Sequence, residues 1–122
     1  MKHKHGNRIL SRVAADRRQL LSNLAGAVLR HGSIVTSEAK GKELKKFLEP
    51  LITKARKGTS LHVRRKLLSS LFHQEDVERL FAVARANAER AGGYLRLTRL
   101  PARRGDDGQE VRVDIIDTEA KE

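Results

Sequence analysis

The sequence contains no cysteine and no tryptophan among its 122 residues. Without thiols there is no disulfide framework and no thiolate-ligated zinc or redox centre, which suits a reducing compartment. Aromatic side chains are confined to Phe47, Phe72, Phe81 and Tyr94, too few to stack several bases of a single strand on an aromatic platform. No apolar run approaches the roughly 18 residues needed to cross a bilayer. The opening MKHKHGNRIL has no apolar core of the kind a secretory signal needs. Acidic residues are also in deficit, 15 against 26 Lys and Arg, for a formal net charge of +11. A surplus of that size points first to a nucleic-acid partner and second to an anionic membrane surface.

Catalytic signatures are missing as well. The chain holds no G-x-x-x-x-G-K-[ST] loop, no G-x-G-x-x-G after a strand and no serine within a nucleophile elbow. Asp106-Asp107 looks like a carboxylate pair, but it lies in the turn-rich run PARRGDDG, where aspartate is favoured for local hydrogen bonding. His3 and His5 lack the further ligands that a metal would need. An enzyme is therefore not expected, and neither is a cofactor, a metal or a small-molecule substrate.

What is present is a graded cation distribution. Residues 1–32 carry seven Lys/Arg against Asp16 alone, whereas residues 92–122 carry six against seven acids. Solubility does not require cations at one end, so the gradient is itself a functional signal. Lys2, His3, Lys4, Arg8 and Arg12 fall in a stretch without apolar periodicity, read as a basic N-terminal arm over residues 1–12. Residues 13–116 read as a single α+β domain, and the acidic residues 117–122 as a flexible tail.

Within the domain, Leu20, Leu21, Leu24 and Val28 recur at helical spacing and predict a helix over 13–30 with Gly32 as its stop. Gln19, Asn23 and Arg30, with Arg12 if the helix reaches it, line another side. Long donors repeated each turn suit a row of phosphate and sugar oxygens. Arg17 and Arg18, beside the basic arm, favour that use over an ordinary solvated face. The β-branched run Ser33–Ser37 predicts a strand, and Thr36 or Ser37 a cap for a second helix, with Lys40 and Lys42 pointing outward near its start. Pro50 should kink or split that helix, because it leaves the Lys46 carbonyl without its donor. Thr59 or Ser60 caps a third helix. Val77, Leu80, Phe81 and Ala84 mark a fourth, which starts near Gln74 or Glu75. After Gly92-Gly93, Tyr94–Leu100 and Val111–Ile115 alternate as the arms of a hairpin. Two glycines leave bare backbone for a sugar–phosphate chain beside Tyr94 and Arg96. Arg103 and Arg104 stand at the hairpin tip. The expected architecture is about four helices packed on a small three-stranded mixed sheet, with a basic N-terminal extension.

The stretches MKHKHGNRILSR, RRQLLSNLAGAVLRHGSI, T-S-x-A-K-x-K-E-L from Thr36, EPLITKA from Glu49, LHVRR from Leu61, AGGYLRL from Ala91 and RRGD from Arg103 resemble the bacterial large-subunit ribosomal protein L17 family, in order and over nearly the whole chain. The chain departs from the family pattern at Asp16, Ser37 and Leu95. The resemblance implies a non-enzymatic, cofactor-free, cytoplasmic constituent of the large ribosomal subunit. Such a protein binds large-subunit rRNA near the outer end of the peptide exit tunnel and adjoins other ribosomal proteins. Carried over by position, it implies rRNA contacts at Lys2, His3, Lys4, Arg8, Arg12, Arg17, Arg18, Asn23, Lys40, Lys42, Tyr94, Arg96, Arg103 and Arg104. Two rivals stand beside it: a free nucleic-acid-binding or RNA-chaperone module, and a metal-dependent nuclease built on Asp106 and Asp107.

Overall fold

The computed structural model describes Leu10, residues 13–89 and residues 92–116; the basic arm apart from Leu10, and the acidic tail, lie outside the described residues. The order of elements is α1 (Ala14–His31), β1 (Ser33–Ser37), α2 (Glu38–Arg56), α3 (Leu61–Leu71), α4 (Gln74–Ala86), β2 (Leu95–Arg99) and β3 (Glu110–Ile115). The four helices and three strands are those that the residue pattern predicts.

The element ends have local causes. Gly32 closes α1 in the left-handed region, and its N–H donates to the Val28 carbonyl at 2.7 Å. Ser37 accepts the Lys40 N–H at 3.4 Å to start α2, and Ser60 accepts the Val63 N–H at 3.3 Å to start α3. Pro50 does not split α2, which runs unbroken from Glu38 to Arg56. It sits on the exposed side of the helix.

The sheet order is β1-β3-β2 and every pairing is antiparallel, so the expectation of a mixed sheet is corrected. The hairpin fixes β2 against β3, with Leu97 opposite Val113. β1 then leaves α1 at the end of the sheet where β3 finishes, and the Gly32 carbonyl accepts the Ile115 N–H at 3.1 Å. From that end β1 can only run antiparallel to β3, Ser33 facing Asp114 and Ser37 facing Glu110.

The core lies between one sheet face and the helices. Val28, Leu44, Leu48, Ile52, Leu67, Leu71, Leu80 and Val113 are fully enclosed. Gly41 is what lets α2 lie close on the sheet, since a Cβ there would stand 2.6 Å from the Val111 side chain. Along α1, Ala25 and Leu29 join Leu21 and Val28 inside, while Leu20 and Leu24 are half-buried at the margin. α3 turns only Leu67 and Leu71 fully inward and leaves Leu61 and Leu68 exposed. No helix among the described residues is long and apolar enough to cross a membrane.

Candidate nucleic-acid interface

Three elements bring cations together at one end of the fold. The first turn of α1 reaches α2 through Arg17, whose guanidinium lies 2.9 Å from the Glu43 carboxylate. The start of α2 is tied to the hairpin in turn. The Glu38 N–H donates to the Gln109 carbonyl at 3.2 Å, and Arg99 donates to the Glu38 carboxylate at 2.7 Å. The N-terminal ends of α1 and α2 and the β2–β3 loop therefore share one pole of the molecule.

At that pole each of two carboxylates is held by two cations. Glu43, buried to 1% exposure, is flanked by Arg17 and by the Lys46 ammonium at 3.4 Å. Glu38 is flanked by Lys42 at 3.2 Å and by Arg99. Hydrogen bonds from Lys42 and then Arg99 hold the Glu38 carboxyl below the usual carboxylate range, so it stays ionised and keeps orienting both cations. Each cluster retains one positive charge in excess. The outer edges of Lys42, Lys46 and Arg99 remain in solvent, where a phosphate can approach.

The hairpin tip is built as a closed turn. The Arg103 N–H donates to the Gly108 carbonyl at 3.0 Å and the Asp107 N–H to the Arg103 carbonyl at 2.9 Å. Asp106 accepts the Gly108 N–H at 3.0 Å and the Arg103 guanidinium at 3.1 Å. The backbone donor first, and Arg103 after it, lower its pKa. Asp106 thus serves the turn and the orientation of Arg103, which also stands 3.6 Å from Glu110. Arg104 is left exposed beside it.

A family model described as Ribosomal protein L17 matches residues 20–116. A large ribosomal subunit protein bL17 of Gemmatimonas aurantiaca is 43% identical over 117 residues, which cover 95% of this chain and 98% of the relative. The bL17 protein of Campylobacter concisus is 40% identical, again covering 95% of this chain and 98% of its own, and that of Cereibacter sphaeroides is 39% identical over 96% and 84%. The chain belongs to the ribosomal protein L17 family.

The candidate contacts carried over from the L17 pattern fall into distinct environments. Lys2, His3, Lys4, Arg8 and Arg12 lie outside the described residues. Arg18, Lys40 and Arg104 belong to the shared pole and have no ion-pair partner among the described residues. Arg17, Lys42 and Arg103 belong there too, each already oriented by a carboxylate. Asn23 is exposed further along α1 and accepts from Gln19 at 3.3 Å, while Arg30 leaves that row to reach Asp76 on α4. Arg96 stands apart, directly across from Asp114 in the sheet.

Tyr94 is not at the surface. Its side chain is fully buried, with the hydroxyl accepting from Arg56 at 2.9 Å and lying 3.4 Å from the Thr53 hydroxyl. It packs the base of the sheet against α2, so its ring cannot meet RNA. Lys46 and Arg99 are the members of the pole that sequence reasoning missed. The Glu38/Lys42 and Glu43/Lys46 spacings are readable as helical ion pairs. The Arg17–Glu43 and Arg99–Glu38 pairs span too much chain to be read that way.

Proposed function

We propose that this L17-family chain is a structural constituent of the cytoplasmic large ribosomal subunit. It binds and organises large-subunit rRNA near the outer end of the peptide exit tunnel, beside neighbouring ribosomal proteins, and carries out no catalysis. The observation that carries the reading is the shared pole, where Glu38 and Glu43 each hold two cations beside Arg18, Lys40 and Arg104, which have no ion-pair partner among the described residues. The mechanism is positional. Cations neutralise phosphates and release counterions, while the fold keeps them in register with a folded RNA whose shape supplies the specificity.

Sedimentation of a cell lysate through a sucrose gradient after a high-salt wash tests this directly. The expected result is co-migration with the large subunit. Release to the top of the gradient would instead support a free nucleic-acid-binding module.

A further inference from the structure

Besides the side it buries, α3 keeps an apolar stripe in solvent. Leu61 and Leu68 stand two turns apart on one line of the helix and Phe72 continues it; they are 63%, 38% and 46% exposed. The stripe borders a groove of about 150 Å³ between α3 and α4, lined by Leu61, Arg64, Arg65, Leu68, Gln74 and Val77. Phe72 is also strained. It closes α3 in the left-handed region, at a φ of 69°, with its N–H donating to the Leu68 carbonyl at 2.7 Å. Glycine takes that backbone freely, whereas any side chain there is crowded. Stability is thus given up at the end of the helix to hold a large apolar ring in water, which marks a surface kept for a partner.

The charges around the groove choose among partners. No carboxylate lines it among the described residues. Glu78, at its edge on α4, is already taken by Arg64, whose guanidinium also lies over the Phe81 ring, 4.8 Å from the centroid. Arg85 acts on the same Glu78 carboxylate, and Arg65 has no ion-pair partner among the described residues. Three guanidiniums therefore stand around one acid. A second copy of this chain would set the same surplus of cations against itself. A sugar–phosphate strand would meet the cations but leave both leucines uncovered, since they offer a base no flat face. A helix with carboxylates beside its apolar residues satisfies both demands. From Leu61 to Phe72 the stripe runs about 16 Å, the length of three helical turns.

We propose that the α3–α4 groove docks an acidic amphipathic helix of a neighbouring large-subunit protein. Apolar side chains of that helix cover Leu61, Leu68 and Phe72, and its carboxylates meet Arg65 and Arg85. The inference rests on the ribosomal reading given above.

Hydroxyl-radical footprinting of the wild-type chain is the first test. Leu61, Leu68 and Phe72 should be oxidised several-fold more slowly in purified large subunits than in the free chain; equal rates would overturn the proposal. Photo-crosslinking then identifies the occupant. Leu61 and Leu68, both at the surface, are each replaced by benzoylphenylalanine, and crosslinked peptides from purified subunits are sequenced by mass spectrometry. The expected result is that both positions reach one protein segment whose apolar residues recur at helical spacing beside Asp or Glu. Adding Arg65→Glu should cut the yield by on the order of tenfold, because like charges then face each other. A crosslink to rRNA, to a second copy or to a segment without carboxylates would overturn the proposal, as would a yield indifferent to Arg65→Glu. Absence of the wild-type chain from the subunit is a different result, and would overturn the ribosomal reading itself.

Discussion

Replacing Gly26 by alanine adds a single methyl group where α1 crosses α4. A Cβ at this position would lie 2.5 Å from Asp76 Oδ2 and 3.2 Å from the Arg30 guanidinium. Both are held in place, since Asp76 is buried and takes Arg30 at 3.3 Å and Arg79 at 3.1 Å on the same oxygen. Helix propensity alone favours the substitution by ~1 kcal/mol. Against that stand ~1–3 kcal/mol of overpacking and the weakening of two half-exposed ion pairs, ~1 kcal/mol each at most. The net is a loss of ~1–3 kcal/mol, or a fall in Tm of about 4–12 °C for a chain of this length. Circular dichroism at 222 nm through a thermal ramp reads it. An equal or higher Tm would refute the argument. A second arm makes it sharper: on an Asp76→Ala background the methyl has nothing to strike, and Gly26→Ala should become neutral or stabilising by ~1 kcal/mol.

Other consequences are simpler to state. Arg18→Ala and Arg104→Ala should leave Tm unchanged, while each lowers the slope of log affinity for rRNA against log salt by about one, read by filter binding across a salt series. Arg17→Ala should lower Tm as well as RNA affinity, because Glu43 stays buried with only Lys46 beside it, a loss of ~1–3 kcal/mol in urea unfolding. Tyr94→Phe should cost ~1–2 kcal/mol by removing the acceptor of Arg56 Nη1, with no change in RNA affinity; a change in affinity would place Tyr94 in the interface after all. Glu38 has a pKa below that of the unfolded chain, so its contribution is present at neutral pH and lost as pH falls through the folded value. Arg99→Gln should therefore flatten the decline of Tm with acidity below about pH 4.

The residues that announced the helices did so through local chemistry. Ser37 and Ser60 cap by their own hydroxyls, Gly32 ends α1 because it tolerates a positive φ of 85°, and Val77, Leu80, Phe81 and Ala84 share one buried side of α4. Strand order could not be read that way. β1 reaches β3 across most of the chain, and no local pattern distinguishes a parallel from an antiparallel partner there. Tyr94 misled for a related reason. Two adjacent glycines set bare backbone beside it and the resemblance made it a contact, yet its hydroxyl is fixed by Arg56, far away in sequence. Lys40, Arg18 and Arg104 were legible as outward cations because nothing apolar surrounds them. Their convergence on one pole depends on contacts such as Arg17 to Glu43, which only the folded chain makes.

The central strand of the sheet follows all the other described elements in the chain. β1 and β2 have no contact with each other in the ladder and pair only through β3. Until β3 has been added, therefore, the chain can form helices but no sheet, and Gly41 has no Val111 to receive it. A fragment ending at Leu100 should collapse without reaching the native state. The link between Glu38 and Gln109 closes only with the hairpin, so the cationic pole is assembled at the same late moment. A chain that has not yet added β3 thus lacks the assembled pole.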